Sequence, residues 1–206
     1  MSNILIIDYG MGNLRSVCNA VRLVGFNPVI GSSASDITAA DKIILPGVGA
    51  FGDAMNRIRS LGLDKLLTDA IMSGNKKLLG ICLGAQLICR ESDEFGLHKG
   101  LGWIDARVEG FRDHITLNVP HVGWNNISIK QPSHLFDNIE SFDFYFVHSY
   151  HLVCNDPSDV IATCDYEITF PAIVKRGNVT GIQFHPEKSQ KSGLLMLKNF
   201  LEDSDA

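Results

Sequence analysis

The sequence has 206 residues, 45% of them hydrophobic, with 18 Lys and Arg against 23 Asp and Glu for a formal net charge of −5. That length holds about one domain, the apolar share excludes disorder, and the acidic balance excludes a nucleic-acid groove or an anionic-membrane face, which need clustered positive charge. With 7 Pro and 19 Gly it is no fibrous or low-complexity chain either.

Asn3 to Asp8 reads as a buried strand. Leu14, Val17, Cys18, Val21 and Val24 then recur at helical spacing, and Gly25 with Asn27-Pro28 stops that helix. Val29-Ile30 predicts a second strand and Lys42 to Leu45 a third, which runs into Pro46-Gly47-Val48-Gly49. Helices follow from about Phe51 to Arg59 and from about Asp64 to Ser73. Lys77 to Ile81 is a fourth strand, with a helix after Cys82. This alternation implies parallel strands with helices on both faces. The second half is richer in strands: Trp103 to Val108, Val122 to Ile129, Phe144 to Val147, His151 to Cys154, Val160 to Cys164, Ala172 to Lys175 and Val179 to Phe184. A last helix is predicted from about Ser189 to Leu201. The expected fold class is therefore α/β, a single domain over residues 1–206. Its central mixed, mostly parallel sheet is flanked by helices, with a β-rich second half.

Ile4 to Ile7 is stopped by Asp8, whereas a secretory signal needs a basic start and a longer apolar stretch. The segment Leu78 to Cys89 is too short to cross a bilayer. Five cysteines (Cys18, Cys82, Cys89, Cys154 and Cys164) form no CxxC pair and leave an odd one over. These features lead us to expect a cytoplasmic chain with reduced thiols.

Leu78 to Gln86 is the most informative stretch: a strand, then Gly80-Ile81-Cys82-Leu83-Gly84, then a helix. It is the cysteine counterpart of the Gly-x-Ser-x-Gly elbow. A nucleophile on so tight a turn needs small neighbours two positions away, and Gly80 and Gly84 meet that need. A sulfur at a helix start is favoured as thiolate by the dipole, and the Leu83 N–H is free for an oxyanion. On the pentapeptide alone, a small buried cysteine beside packing glycines remains an alternative. Cys89, Cys18, Cys154 and Cys164 lack such flanks and read as core.

A cysteine nucleophile needs a base. Of the seven histidines, His185 has the best context, at the end of the strand Gly181-Ile182-Gln183-Phe184 and before Pro186-Glu187. Glu187, two residues on, is placed by strand alternation to orient the imidazole. A plain strand-end turn would look the same. His148-Ser149-Tyr150-His151 has a metal-like HxxH spacing but no third ligand nearby, so no metal site is expected.

Gly80-Ile81-Cys82-Leu83-Gly84-Ala85-Gln86 and Phe184-His185-Pro186-Glu187 resemble the class I (triad) glutamine amidotransferases. Adding Asp8 to Leu14, Leu45 to Phe51, Pro120 to Asn125, Tyr145 to Tyr150 and Lys188-Ser189 narrows the resemblance to that family's glutaminase subunits of imidazole glycerol phosphate synthase. The likeness covers essentially the whole chain, in order.

The resemblance implies that Cys82 is the nucleophile, His185 the base and then acid, and Glu187 the orienting carboxylate. It implies an oxyanion strand in which an N–H near Val48 or Gly49 joins that of Leu83, after a peptide reorientation that flanking glycines ease. Gln86, Glu94, Ser149 and Tyr150 fall at substrate-binding positions. Asn13, Trp124 and Lys188 fall at the interface with a (β/α)₈ cyclase. The implied activity is hydrolysis of L-glutamine to glutamate, with ammonia channelled to that cyclase partner, which makes imidazole glycerol phosphate and AICAR in histidine biosynthesis. No cofactor is implied, and no P-loop or dinucleotide fingerprint is present for an acceptor substrate.

One stretch departs from the pattern. Gly102 to Phe111 lacks the Pro-Gly that histidine-pathway members tend to carry near its middle. Paralogues of these subunits supply ammonia for amidination of bacterial surface sugars, which leaves that acceptor as the alternative.

Overall fold

The computed structural model describes residues 2–74 and 76–203. The first half builds β1 (Ile4–Ile7), α1 (Leu14–Leu23), β2 (Pro28–Gly31), α2 (Ala34–Ala39), β3 (Lys42–Gly47), α3 (Phe51–Ser60), α4 (Leu63–Met72), β4 (Lys77–Cys82) and α5 (Leu83–Leu87). The second half adds β5 (Glu91–Ser92), β6 (His98–Lys99), β7 (Ala106–Gly110), β8 (His121–Ile129), β9 (Asp143–His148), β10 (Tyr150–Cys154), β11 (Val160–Tyr166), β12 (Ile168–Arg176), β13 (Val179–Ile182) and α6 (Gln190–Glu202).

A nine-stranded sheet runs in the order β2-β1-β3-β4-β13-β12-β11-β8-β9. From β2 to β13 the neighbours are parallel. From β13 to β9 they are antiparallel. A smaller sheet, β10-β7-β5-β6, stands beside it. The expected mixed sheet flanked by helices is what the chain forms.

Alternation along the central strands explains the layers. Ile4, Ile6, Ile44, Leu79 and Ile81 face one core, which α1 and α6 close with Val17, Val21, Met196 and Leu197. Leu5, Ile7, Ile43, Leu45 and Leu78 face the other, closed by Met55 and Ile58 of α3 and Leu67 and Ile71 of α4. Strands covered on both faces must be apolar throughout, which is why β1 reads ILII without a break.

Two elements differ from expectation. The strand expected from Trp103 begins only at Ala106 and reaches Gly110. Trp103 and Ile104 instead donate their N–H groups to the Ile88 carbonyl, which holds them against the end of α5. Helix α2 was not foreseen, although Ser33 and Asp36 form a capping box around its start. Cys89 lies just past α5, which stops at Leu87, and is core, as expected, with no exposed surface.

Candidate active site

Cys82 closes β4 and caps α5, with φ 53° and ψ −110°. A non-glycine residue there carries strain of about 1–3 kcal/mol, held in place by its surroundings. The flanking glycines show what holds it. A Cβ on Gly80 would lie 2.7 Å from the Gly84 carbonyl oxygen, and one on Gly84 would run into the Leu45 carbonyl. Hydrogen at Gly80 lets β4 fold back onto the start of α5, and hydrogen at Gly84 lets that helix start approach β3. The register pairs Gly47 of β3 with Cys82. A Cβ on Gly47 would stand 2.9 Å from the Leu83 Cβ, so β3 passes directly over the helix start. Val48 is 44% exposed beyond it, and Gly49 takes φ +100°.

His185 comes from the far side of the elbow. β13 lies parallel to β4, and the chain leaves β13 into Gln183-Phe184-His185. The His185 N–H donates to the Tyr145 carbonyl at 2.9 Å. Ser189 completes the clamp. Its hydroxyl donates to the His185 carbonyl at 2.6 Å and accepts from the Tyr145 N–H at 2.9 Å. Sequence reading gave Ser189 no role. The only signal was its place at the end of the Phe184 to Ser189 motif.

Glu187 meets His185 as expected, with Oε1 2.7 Å from Nδ1 and both side chains buried. The route differs from the one expected. Strand alternation does not carry Glu187 there, because Pro186 opens a 3₁₀ turn, Pro186–Lys188, that folds the carboxylate back onto the ring. Burial pulls the His185 pKa down, but hydrogen bonds to the Cys82 sulfur and to Glu187 outweigh it and lift the value to about 9. The imidazolium is therefore the form present at neutral pH. The Cys82 Sγ also lies 3.8 Å from the Val147 carbonyl oxygen.

These groups open onto one cleft of about 430 Å³, lined by Val48, Gly49, Cys82, Leu83, Gln86, Glu94, Pro120, Val147, His148, Ser149, Tyr150, His185 and Lys188. All the predicted oxyanion and substrate residues line it. Gln86 donates its amide to the Tyr150 carbonyl and to Gln183 Oε1, each at 3.1 Å. Gln183, buried and unremarked in the sequence, thus fixes the Gln86 rotamer. Glu94 accepts the Phe51 N–H at 2.6 Å, capping α3, and burial raises its pKa.

The predicted interface residues are less gathered. Trp124 is 46% exposed, with its ring 6.2 Å from that of Tyr145. The Lys188 ammonium, in the cleft wall, sits 5.8 Å from the same Tyr145 ring, so the two flank one aromatic, while Trp124 itself lines a separate pocket with Asn138, Ile139 and Asp143. Asn13 does not line the cleft. It caps α1, its side chain accepting from the Ser16 N–H at 3.3 Å. His148 and His151, the HxxH pair, part at the β9–β10 break. The first turns to His121 and the second stacks on Phe111, centroids 4.5 Å apart.

The sequence profile of class-I glutamine amidotransferases matches residues 5–204. The chain belongs to that family. Among relatives of this amidotransferase, subunit HisH of imidazole glycerol phosphate synthase from Syntrophotalea carbinolica is 48% identical over 203 residues, covering 96% of this chain and 98% of that protein. HisH of Rhodopirellula baltica is also 48% identical, over 197 residues and 96% of each chain. HisH 2 of Pseudomonas aeruginosa is 45% identical over 200 residues, with 97% and 98% covered. Two solved structures share the amidotransferase fold at 19% identity. A crystal structure of a glutamine amidotransferase superposes with TM-score 0.76 over 96% of this chain and 97% of that one. PurLQS of Thermotoga maritima does so with TM-score 0.72 over 98% of each.

Proposed function

We propose that this chain, as one amidotransferase domain over residues 1–206, is the glutaminase subunit of an imidazole glycerol phosphate synthase. It hydrolyses L-glutamine to glutamate and passes ammonia to a (β/α)₈ cyclase in the cytoplasm, for histidine biosynthesis. The observation that carries this reading is the line Cys82–His185–Glu187 opening onto the same cleft as Gln86, Glu94, Ser149 and Tyr150. The relatives named above are all subunits of that synthase, which favours this acceptor over a surface sugar.

The chemistry follows from the arrangement. With the His185 ring protonated at neutral pH, Cys82 attacks the glutamine side-chain carbonyl as thiolate. The carbonyl electron pair moves to oxygen, held by the Leu83 N–H and by an N–H of the Val48–Gly49 stretch once that peptide turns inward. His185 gives its proton to the departing nitrogen, the C–N bond breaks, and a glutamyl thioester remains on Cys82. Neutral His185 then takes a proton from the attacking water, and collapse releases glutamate and the thiolate. Glu187 holds the ring orientation throughout. Asn13, Trp124 and Lys188 face the cyclase, which receives ammonia before bulk water protonates it.

Glutamate release should be low for the chain alone and should rise when the cyclase carries its own ligand. Cys82→Ala should lower release by about 10⁴-fold or more while its complex still makes product from added ammonia. Retained glutaminase activity in Cys82→Ala would overturn the catalytic assignment. Strong turnover without any partner would overturn the dependence on the cyclase.

A further inference from the structure

His148 lines the cleft and His121 lies behind it, and the proposed chemistry uses neither of these buried histidines. β8 and β9 pair in a register that sets His121 opposite His148. Only 3% of His121 and 6% of His148 is exposed. His121 Nδ1 and His148 Nε2 are 3.1 Å apart. Each ring has a second partner. His148 Nδ1 is 2.8 Å from the Tyr150 carbonyl oxygen, and His121 Nε2 is 3.3 Å from Asn125 Nδ2.

One proton arrangement satisfies every contact. A carbonyl oxygen only accepts, so His148 Nδ1 carries its hydrogen. Burial pushes the His148 pKa down to about 3 and that of His121 to about 4, so each ring holds a single N–H at neutral pH. His148 Nε2 is then an acceptor, and His121 Nδ1 must donate to it. His121 Nε2 in turn accepts from Asn125. The Asn125 amide has a fixed orientation too, because its oxygen accepts the Asn126 N–H at 2.8 Å and its nitrogen donates to the Asp165 carbonyl at 3.0 Å.

The chain of donors ends where the substrate segment begins. The Tyr150 carbonyl accepts from His148 on one side and from Gln86 of the elbow helix on the other. The Ser149 carbonyl accepts the Phe111 N–H at 3.0 Å. Both carbonyls of this segment are thus held by protein donors. We propose that His148 and His121 are positioning residues for substrate binding. A one-way chain of donors, Asn125 to His121 to His148 to the Tyr150 carbonyl, fixes the Tyr150–His151 peptide, at the C-terminal end of the Ser149–Tyr150 segment that lines the cleft. It also ties that peptide to β8, the strand that bears Trp124. This rests on the reading that the segment holds glutamine.

Two measurements test it. In the full chain labelled with ¹⁵N, ring nitrogen shifts at pH 7 should place the hydrogen on Nδ1 of both His121 and His148. A hydrogen on Nε2 of either ring, or a charged ring, would overturn the relay. In the complex with the cyclase, His148→Ala should raise the KM for glutamine about tenfold and change kcat by less than about threefold. His148→Asn, which keeps an N–H near the place of Nδ1, should recover most of that loss and serves if the alanine variant does not fold. An unchanged KM in both variants would overturn the positioning role. If the unaltered complex releases no glutamate from glutamine, the functional reading fails instead, and the ring shifts still decide the relay.

Discussion

The Cys82 sulfur sits at the edge of a cleft beside His185, whereas Cys18, Cys89 and Cys164 are buried and Cys154, expected in the core, is only partly buried against it. Burial pushes the thiols of Cys154 and Cys164 up to about 12 and that of Cys89 well above its ordinary value, so none of the three offers a thiolate near neutrality. His185 moves the opposite way for a cation, up to about 9, because its two hydrogen-bond partners outweigh burial. The sign of the consequence is fixed. A histidine whose folded pKa exceeds its unfolded value of about 6.5 adds stability that is complete below that pH and is lost as pH rises through about 9. Catalysis follows the same limb, since departing ammonia needs the proton. The kcat/KM of the complex should fall on the alkaline side with an apparent pKa near 9, as His185 loses its proton. Glu187→Gln removes one of the two raising partners. That limb should move to lower pH, and kcat should fall about a hundredfold or more. A pH–rate profile of the variant reads both. An unmoved limb would mean that Glu187 does not set the charge on His185.

At the scale of elements, the elbow depends on β3 and α5 approaching with no side chain between them. Gly84→Ala would drive a methyl into the Leu45 carbonyl, a backbone atom that cannot swing aside. We expect a loss of about 1–3 kcal/mol, read as a lowered melting temperature, together with lost glutaminase activity. Full stability in that variant would show that β3 moves freely, which the buried pairing of Gly47 with Cys82 argues against. The elbow was legible because its cause is local: a strand, two glycines two positions from a cysteine, and a helix. The meeting of His185 with Glu187 was legible for the same reason, although a 3₁₀ turn brings them together rather than alternation. What escaped the sequence depends on distant pairing. The Ser189 hydroxyl bridges His185 and Tyr145 because β9 lies beside that turn. His121 faces His148 through a register that nothing in either segment specifies alone. Trp103 looked like a strand residue and instead spends its N–H on Ile88. The capping box at Ser33 and Asp36 is local, but α2 spans only Ala34–Ala39 and is too short to show periodicity.

For the molecule as a whole, the parallel half supplies the nucleophile and the antiparallel half supplies the wall of the cleft, and the two meet where β13 lies between β4 and β12. The mouth opens between them. On β8, just after the cleft-lining Pro120, Trp124 leaves 46% of its surface in water beside Val122, itself 54% exposed on the same strand. Large apolar side chains left in water suit a partner better than solvent, and buried tryptophans dominate the energy of many interfaces. Trp124 makes no side-chain hydrogen bond among the described residues, and its ring meets that of Tyr145 edge-on. Trp124→Ala should therefore change the stability of the free chain by no more than about 0.5 kcal/mol, as for an ordinary surface site. It should weaken binding of the cyclase by about 2 kcal/mol or more, some thirtyfold. Calorimetric titration of the variant with the cyclase measures the second effect, and thermal unfolding of the free chain measures the first. Equal affinity for the cyclase would place the docking face elsewhere. A large loss of stability in the free chain would make Trp124 a packing residue instead. The relay from Asn125 adds a further expectation. The neighbour of Trp124 is hydrogen-bonded through His121 and His148 to the substrate segment, so the glutamine KM measured at saturating cyclase should rise in Trp124→Ala if docking presses on β8.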